Sequence, residues 1–252
     1  MIKILLNGCS GKLATAISNL AKTTDEAEKY EIICGIDPDP KTHDFPVLTN
    51  IADFKANTDV VIDCSVAEAV PTLLDFCVKM QFPLVICTTG FNDTQMEHIK
   101  QASAKIPIFQ SANMSMGINV LQNLAAQVAK ILSDFDIEII EKHHNQKIDA
   151  PSGTALLLAE AINASFDNKK EYLYDRSQQR NPRGKEIGLH SIRGGNITGE
   201  HSIVFAGAGE TLELKHTAIS KDVFAIGTLK AAEFIQKQPN GLYNMDNLNS
   251  KK

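Results

Sequence analysis

Chemically capable side chains are densest in the run EKHHNQKIDAPSGTA, residues 141–155. His143 and His144 are adjacent, Lys147 follows them, and Ser-Gly-Thr at 152–154 opens an apolar helical run. A histidine can give or take a proton near neutral pH, and the backbone N–H groups at a helix start attract anions. Lys147 adds a full positive charge. The block therefore predicts a site for an anionic substrate beside an acid/base group.

Plainer interpretations of this block also exist. Ser-Gly-Thr is a common helix start, and His144 and Lys147 could be solvated loop side chains. Adjacent histidines lack the spacing of a metal pair, and no Cys or carboxylate completes a ligand set, so the block argues against zinc. The concentration of anion donors, a cation and an acid/base group in one polar loop favours a binding site.

A glycine turn follows the first apolar run, in NGCSGKLATAI. Gly8, Gly11 and Ala14 form GxxGxxA, where the dinucleotide fingerprint usually reads GxGxxG/A. Such a turn lets the backbone approach a pyrophosphate at a helix N-terminus. Asp37 ends the second apolar run, about 20 residues further on, where an acid can bind the adenosine ribose. Asp37 favours NADH because it would repel a 2′-phosphate, but Lys12 could offset that repulsion, so the choice between NADH and NADPH stays open.

Short Val/Ile/Leu-rich runs alternate with helical spacing through the first 110 residues, which indicates a parallel sheet covered on both faces. Strands are predicted at 2–7, 30–36, 59–65, 83–90 and 106–112, and helices at 67–80 and 93–104. Open sheets of this kind bind ligands at the carboxyl ends of their strands. Small polar residues there could line a nicotinamide pocket, although each alone would be an ordinary loop residue: Cys64, Ser65, Thr88, Thr89 and Gly90.

The pattern changes near residue 113. A helical stripe over 121–132 is followed by alternating segments at 135–140, 187–193, 201–207 and 211–217, and a last helical stretch covers 222–236. Alternation indicates strands with one apolar face. We predict the α/β class. A Rossmann-like parallel-sheet dinucleotide-binding domain comprises 1–115 with 221–252. An inserted α+β domain, residues 116–220, has an open, mainly antiparallel sheet, and hinges are expected near 113–117 and 218–222.

Composition excludes several classes of function. The 252 residues carry a net charge of −5 and no run of Lys or Arg that could follow a phosphate backbone, which argues against nucleic acid as a partner. The apolar runs are too short for a membrane span, and the start reads as a strand and not as a signal peptide. The five cysteines are odd in number and lack CxxC spacing, which predicts buried free thiols in the cytoplasm.

Four stretches resemble the dihydrodipicolinate reductase family: SANMSMGIN at 111–119, IEIIEKHHNQKIDAPSGTAL at 137–156, HSIRGG…GEH at 190–201 and SKDVFAIG at 220–227. Their order and spacing match along essentially the whole chain. The pattern HHxxKxDAPSGTA is highly specific, unlike the glycine turn. Two departures weaken the case for strict NADPH dependence: the family's usual GRMG is here GKLA, and Pro38 stands where some members carry an arginine for the 2′-phosphate.

The resemblance implies a homotetramer whose second domain binds substrate and mediates assembly. It also implies hydride transfer from NADH or NADPH to C4 of 4-hydroxy-tetrahydrodipicolinate, a small cyclic dicarboxylate, with loss of water, in the diaminopimelate route to lysine. His143 would be the acid/base residue and Lys147 its electrostatic partner. The substrate-binding residues would be His144, Ser152, Gly153 and Thr154. The turn, the strand ends and the resemblance together assign to the cofactor Gly8, Gly11, Lys12, Leu13, Asp37, Cys64, Ser65, Thr88, Thr89, Gly90, Ala112, Asn113 and Met114.

Two other functions share part of these features. Another Rossmann-fold reductase of a small carboxylate, such as an amino-acid or semialdehyde dehydrogenase, would share the N-terminal half but would not need the His–Lys–SGT anion site. A non-catalytic NAD(H) sensor would bind the cofactor without substrate-dependent oxidation. The histidine–lysine block argues against the sensor.

Overall fold

The computed structural model describes residues 1–23, 28–177 and 179–250. The chain forms two compact units. The first consists of Met1–Met116 together with Asp222–Lys252, and the second is Gly117–Lys221. Among the residues that the structure describes, no helix is both long and apolar enough to cross a membrane.

The first unit is built on a seven-stranded sheet. Its strands are β1 (Ile2–Asn7), β2 (Tyr30–Ile36), β3 (Val47–Leu48), β4 (Val60–Asp63), β5 (Leu84–Ile86), β6 (Pro107–Gln110) and β12 (Gly241–Tyr243). Their order is β12-β6-β5-β4-β1-β2-β3, and every pairing is parallel. The strand order reverses at β1, between β2 and β4, which is the point where doubly wound sheets bind their ligands.

Helices cover both faces of this sheet, as the continuous apolar strands predict. The helices are α1 (Lys12–Leu20), α2 (Val70–Met80), α3 (Asp93–Ser103), α6 (Asp222–Ile235) and α7 (Met245–Asn249), with a short 3-10 helix at Ile51–Asp53. One apolar core lies under α1 and α6, and a second lies under α2 and α3. The predicted parallel sheet is confirmed. The segments β3, β12 and α7 are too short to show a period, and sequence analysis missed them.

The second unit contains a five-stranded sheet and two long helices. Its elements are α4 (Met116–Ile131), β7 (Asp136–His143), α5 (Gly153–Ala164), β8 (Tyr172–Leu173), β9 (Ile187–Arg193), β10 (Gly199–Gly207) and β11 (Glu210–Ala218). The strand order is β11-β10-β7-β9-β8. The sheet is mixed, with most of its paired residues antiparallel: β10 pairs antiparallel with β11 and β7, whereas β9 pairs parallel with β7 and β8. Alternation shows which face of a strand is buried but not its direction, and the helical crossover α5 returns the chain parallel to β7.

Strand β7 connects the core of the second unit to its polar end. Ile137 and Ile139 are fully buried against α4 and α5. Each such burial stabilises the fold by about 1.5–3 kcal/mol. Because strand side chains alternate, a slip of one residue would turn both isoleucines outward. The same register directs Glu141 and His143 to the inner face, so the apolar core fixes where these two polar side chains lie.

Candidate active site

Glu141 is the centre of a buried hydrogen-bond network at the end of β7. Its side chain is inaccessible to solvent. Arg193 donates to both carboxylate oxygens at 2.8 Å, in a bidentate pair. His143 Nδ1 lies 2.6 Å from Oε2, and the Ser152 backbone N–H donates to Oε1 at 3.1 Å. Burial acts to raise the pKa of Glu141, but the bonds from Arg193 and His143 outweigh it and lower the pKa to about 2.

The ionised carboxylate of Glu141 determines which nitrogen of the His143 ring carries a proton. A carboxylate only accepts hydrogen bonds, so His143 Nδ1 must carry the proton that joins it to Glu141. The nitrogen Nε2 is then the atom that can exchange a proton with a substrate. Gly199 on β10 leaves room beside it, since a Cβ built there would lie 3.2 Å from Nε2.

Arg193 also holds the loop between β7 and α5. Its Nη2 donates to the carbonyl of Asp149 at 2.6 Å, and the next backbone N–H, that of Gly194, donates to the carbonyl of His143 at 2.9 Å. The hydrogen bond to Glu141 is the main reason that the pKa of Arg193 is raised, so the guanidinium keeps its charge. Arg193 therefore ties β9, β7 and the loop together.

Ser152 is the N-cap of α5. It is 2% exposed, and its Oγ accepts the Ala155 N–H at 3.2 Å. The same hydroxyl lies 3.0 Å from His201 Nε2. Both polar groups of Ser152 are thus engaged within the protein. Ser152 therefore positions the helix start.

The start of α5 is open to a ligand. A Cβ built at Gly153 would meet no atom within 4 Å, so the first turn faces free space there. The backbone N–H groups of that turn carry the positive end of a 12-residue helix. A carboxylate is a suitable ligand for such a terminus.

Lys147 lies in the same loop and is mostly covered by protein. Its Nζ bonds both oxygens of Asp149, at 2.7 and 2.8 Å. This contact is the main reason that the pKa of Asp149 is lowered. The backbone N–H of Lys147 donates to the carbonyl of His144, which closes the turn between the two residues. The cation is held in place by a carboxylate that is itself exposed, and an incoming anion can compete for it.

His201 is a neutral, buried neighbour of this group. Burial is the largest cause that lowers its pKa, to about 4, and the nearby charges of His143 and Lys147 lower it further. The Ser152 hydroxyl, which accepts from Ala155, also shares a hydrogen bond with His201 Nε2. The rings of His143 and His201 pack edge to face with centroids 5.2 Å apart. The structure therefore brings His143, Lys147 and the α5 start together in one polar cluster.

The glycine turn of the first unit is shaped by close backbone contact. Gly8 has φ +70°, and a Cβ there would lie 2.7 Å from the backbone of Cys64. Only glycine fits, because both the conformation and the space exclude a side chain. Gly11 is the N-cap of α1 and has no side chain, so no side chain at this position caps the first N–H groups of the helix. This is the arrangement that a pyrophosphate needs, and the turn fits a dinucleotide.

Asp37 supports the same turn from the end of β2. It accepts the backbone N–H groups of Ser10 and Asp39, both at 3.0 Å. Lys41 joins them, with its Nζ donating to the carbonyl of Ser10 at 3.2 Å. Lys12 is an exposed residue at the first position of α1. Sequence analysis missed Lys41, which lies in a loop with no periodic pattern, although it places a second cation beside the expected ribose site.

A crevice of about 440 Å³ lies at the carboxyl ends of β4 and β5. It brings together six of the residues predicted to contact the cofactor: Leu13, Cys64, Ser65, Thr88, Thr89 and Gly90. Ala112, Asn113 and Met114 are not among its lining residues. The Met114 side chain is buried in the core, and its carbonyl packs against Gly227, where a Cβ would lie 1.7 Å from the carbonyl oxygen.

Asp63 is a second buried carboxylate that sequence analysis did not select. It is fully buried at the end of β4 and accepts hydrogen bonds from Asn7 Nδ2 at 2.8 Å and from the hydroxyls of Ser65 and Thr88 at 2.6 Å. It thereby orients two hydroxyl groups at the crevice. The sequence did contain a signal for Asp63, since it is a charged residue inside an otherwise apolar strand. The sequence marks three further residues in a similar way, because they are polar residues at inward positions of alternating strands: Glu141, Arg193 and His201.

Among the residues described, the structure contains no group of three or more His, Cys, Asp or Glu side chains that could hold a metal ion.

A doubly wound sheet with a dinucleotide turn, joined to a helix-terminal anion site with a histidine, defines the class of pyridine-nucleotide-dependent oxidoreductases. The chain belongs to the dihydrodipicolinate reductase family. Residues 2–114 match the family's "Dihydrodipicolinate reductase, N-terminus" and residues 117–248 match its "Dihydrodipicolinate reductase, C-terminus". Members of this family use NADH or NADPH, as the sequence predicts.

Similar proteins cover nearly the whole chain. A 4-hydroxy-tetrahydrodipicolinate reductase of Clostridium tetani is 48% identical over 98% of this chain and 96% of its own length. One from Caldanaerobacter subterraneus is 47% identical, with 98% of each chain covered. Among solved structures, the dipicolinate-bound dihydrodipicolinate reductase of Paenisporosarcina sp. TG-14 is 25% identical, with a TM-score of 0.79 and 97% of each chain covered.

Proposed function

We propose that this protein reduces 4-hydroxy-tetrahydrodipicolinate to tetrahydrodipicolinate with NADH or NADPH, with loss of water, in the diaminopimelate route to lysine. Support comes from the family match over both units and from relatives named 4-hydroxy-tetrahydrodipicolinate reductase that match nearly the whole chain. The observation that carries the proposal is the Glu141–His143–Arg193 network beside the start of α5, because a ring oriented there would exchange a proton with a carboxylate substrate bound at the helix start.

The substrate would be held by its two carboxylates. One would bind the N–H groups at Gly153 and Thr154, and the other would take Lys147 from Asp149. A bound dianion gains from both contacts, since charge-assisted hydrogen bonds are the stronger kind. His144, in the turn closed by Lys147, would complete the binding set. These contacts orient the ring before any bond changes.

Proton transfer would pass through His143. The reduced nicotinamide, when bound, supplies the hydride. Hydride addition leaves negative charge on the ring, and His143 Nε2 would provide the matching proton. Glu141 fixes the ring tautomer through Nδ1, and Arg193 keeps Glu141 ionised in its buried position. Lys147, once transferred to the substrate, and the helix terminus would stabilise the developing charge.

The first test is a steady-state assay of the purified protein with both reduced cofactors. We expect oxidation of NADH or NADPH, followed by its near-ultraviolet absorbance, only when 4-hydroxy-tetrahydrodipicolinate is added. Activity on an aldehyde or amino-acid panel but not on this substrate would instead identify another Rossmann-fold reductase. Cofactor binding with no oxidation on any substrate would identify a sensor.

We also propose a cytoplasmic homotetramer. The outer face of the second sheet carries Ile140, Ile192 and Val204, and Ile192 is 45% exposed. Pairing of such faces between subunits would bury this apolar surface. All five cysteines are free thiols, which suits a reducing compartment. Light scattering should give four times the chain mass, and a concentration-independent monomer would overturn the assembly.

A further inference from the structure

Two cysteines leave the parallel sheet side by side at the crevice of the first unit. Strands β4 and β5 are in register at Asp63 and Ile86, so the next residues, Cys64 and Cys87, are neighbours. The Cys87 N–H donates to the carbonyl of Asp63 at 2.9 Å, which continues the pairing by one residue. Both side chains pack against the same apolar core, under α1 and α6, so they point to the same face of the sheet.

The two thiols are neighbours across the strand pair. Cys87 Sγ lies 3.5 Å from Thr228 Oγ1, and the nearby Cys87 thiol acts to raise the pKa of Cys64. Both line the crevice of about 440 Å³ and are partly accessible. The other three cysteines, Cys9, Cys34 and Cys77, are buried. This pair alone, among the cysteines, combines neighbouring thiols with an opening to solvent.

We propose that Cys64 and Cys87 form a dithiol that a hydroperoxide oxidises to a disulfide, and that the disulfide form binds the nicotinamide cofactor weakly. One thiol reduces the peroxide: the O–O bond breaks, water leaves, and the sulfur becomes a sulfenic acid. The second thiol attacks that sulfur, the S–S bond forms, and a second water leaves. Two electrons pass from the two sulfurs to one hydrogen peroxide, and no further reactant is needed.

The link to cofactor binding is the crowded backbone around Cys64. A Cβ at Gly8 would lie 2.7 Å from the Cys64 backbone, so the dinucleotide turn rests directly on this strand end. The following residues, Ser65 and Thr88, are held by Asp63. Two bonded sulfurs sit about 2 Å apart with a restricted dihedral angle, so oxidation would rotate the two side chains and lock the strand ends in one arrangement. That change would disturb the turn that rests on Cys64 and the lining of the crevice.

The reduced pair is protected under ordinary conditions. The nearby Cys87 thiol, together with burial, raises the pKa of the Cys64 thiol. Since the thiolate is the reactive form, oxidation should be slow at neutral pH and faster as the pH rises. The pair would respond to oxidative stress and not to the normal reducing state of the compartment.

The test treats the purified full-length protein with hydrogen peroxide and maps disulfides by peptide mass spectrometry. We expect Cys64 and Cys87 to be linked, the affinity for NADH to fall by at least about tenfold, and a dithiol reductant to restore it. Cys64→Ser and Cys87→Ser are each compared with themselves before and after peroxide, and neither should respond. Cys77→Ala, which removes a fully buried thiol, is the matched control and should respond as the wild type does.

An oxidant-free probe checks the geometry of the pair. Phenylarsine oxide bridges two neighbouring thiols with loss of one water, and we expect one equivalent per chain, lost in either serine variant. Disulfides that involve other cysteines, or no bridging by the arsenical, would overturn the pairing. A Cys64–Cys87 disulfide with unchanged NADH affinity would overturn the regulatory role, which rests on the proposed function. None of these readouts uses the dicarboxylate substrate, so failure of the proposed activity is seen separately.

Discussion

Glu141 carries a full charge in a position without access to solvent. The residues that bind its carboxylate are the same residues that form the candidate active site. Arg193 balances the charge, Ser152 contributes the N–H of the helix start, and His143 is oriented by it. Burial of an ion pair is costly unless every oxygen is satisfied, and here both are. The network therefore joins the stability of the second unit to the position of its proton-exchanging ring.

Replacement of this carboxylate by an amide tests that role. Glu141→Gln should lower turnover by about 10²-fold or more, because the amide has one acceptor oxygen in place of two and no charge, so it cannot satisfy Arg193, Ser152 and His143 together and fix the His143 tautomer. It should also lower the free energy of unfolding by about 3–5 kcal/mol, because Arg193 is left without its partner. Affinity for NADH, measured by fluorescence titration, should stay unchanged.

Glu160→Gln is the matched control for this substitution, since Glu160 is an exposed residue of α5 in the same unit. It should leave turnover and stability as they are. Circular dichroism of Glu141→Gln establishes that the variant is folded before its kinetics are read. Turnover within threefold of the wild type would show that the carboxylate does not position His143.

A second prediction at this scale concerns Lys41. Its Nζ lies at the Ser10 carbonyl, in the turn that Asp37 supports. A cation there offsets the repulsion between Asp37 and a 2′-phosphate, so Lys41→Ala should weaken NADPH binding by about 1 kcal/mol and leave NADH nearly unaffected. Lys79→Ala, on the exposed side of α2, serves as the control. An equal loss for both cofactors would contradict the assignment.

At the residue level, the sequence predicted which side chains lie together where the signal was local. His143, Lys147 and the α5 start are close in the chain, so their grouping in one loop follows from spacing alone. Arg193 and His201 come from two other strands, and strand pairing alone brings them to Glu141. Which residue satisfies a buried charge depends on register, and register cannot be derived from one strand at a time.

At the scale of elements, the β1–α1 turn and the α5 start do similar work in the two units. Each presents the N-terminus of a helix immediately after a strand or loop held by a carboxylate: Asp37 for the first and Glu141 for the second. Helix termini bind anions through backbone groups, so these sites depend on the shape of the chain more than on side-chain chemistry. Small residues at Gly8 and Gly153 keep both termini accessible.

Gly8→Ala tests the shape of the first turn. The added methyl group would meet the Cys64 backbone at 2.7 Å, in a conformation that is itself unfavourable for alanine. We expect NADH affinity to fall by at least about tenfold, with a loss of stability of more than about 1 kcal/mol.

Gly209→Ala is the control for Gly8→Ala. Gly209 also has a positive φ, of +92°, but a Cβ there meets nothing within 4 Å, so this variant carries the conformational cost without the clash. It should lose stability by about 1 kcal/mol and keep its cofactor affinity. Equal cofactor affinity in the two variants would show that the close contact at Gly8 does not shape the site.

Element types and order were predictable because period and length were clear, as in α4 and the strands of the first sheet. The direction in which β9 pairs was not predictable. An alternating pattern is the same in both chain directions, and only the crossover through α5 makes β9 parallel to β7. Helix α7 and strand β12 have too few residues to express a period. Their place in the fold follows from contact with β6 and α6, which no local pattern encodes.

At the scale of the whole molecule, two buried groups set the pH dependence of stability. His201 has a folded pKa of about 4 against an ordinary value of 6.5, so between these values the unfolded chain binds a proton that the folded chain does not. Stability is then complete above pH 6.5 and declines as the pH falls toward 4, by roughly 3 kcal/mol. Glu141, with its pKa lowered to about 2 from 4.5, adds a further loss as the pH falls below 4.5.

Urea unfolding at fixed protein concentration between pH 7 and pH 4 measures this effect. The wild type should lose stability over the whole range, and His201→Gln should lose much less of it between pH 6.5 and 4, because a glutamine amide can donate to or accept from Ser152 but does not titrate. Concentration must be held constant because assembly also contributes to apparent stability. Parallel pH profiles for the two proteins would mean that His201 is not the titrating group.

We propose that His143 transfers a proton to a dicarboxylate held at the start of α5. The most direct test of this proton transfer is the turnover of His143→Gln with 4-hydroxy-tetrahydrodipicolinate, measured beside the affinity of the same variant for NADH. We predict a decrease in turnover of about 10²–10⁴-fold with cofactor affinity unchanged. Turnover close to that of the wild type would show that His143 is not the proton donor.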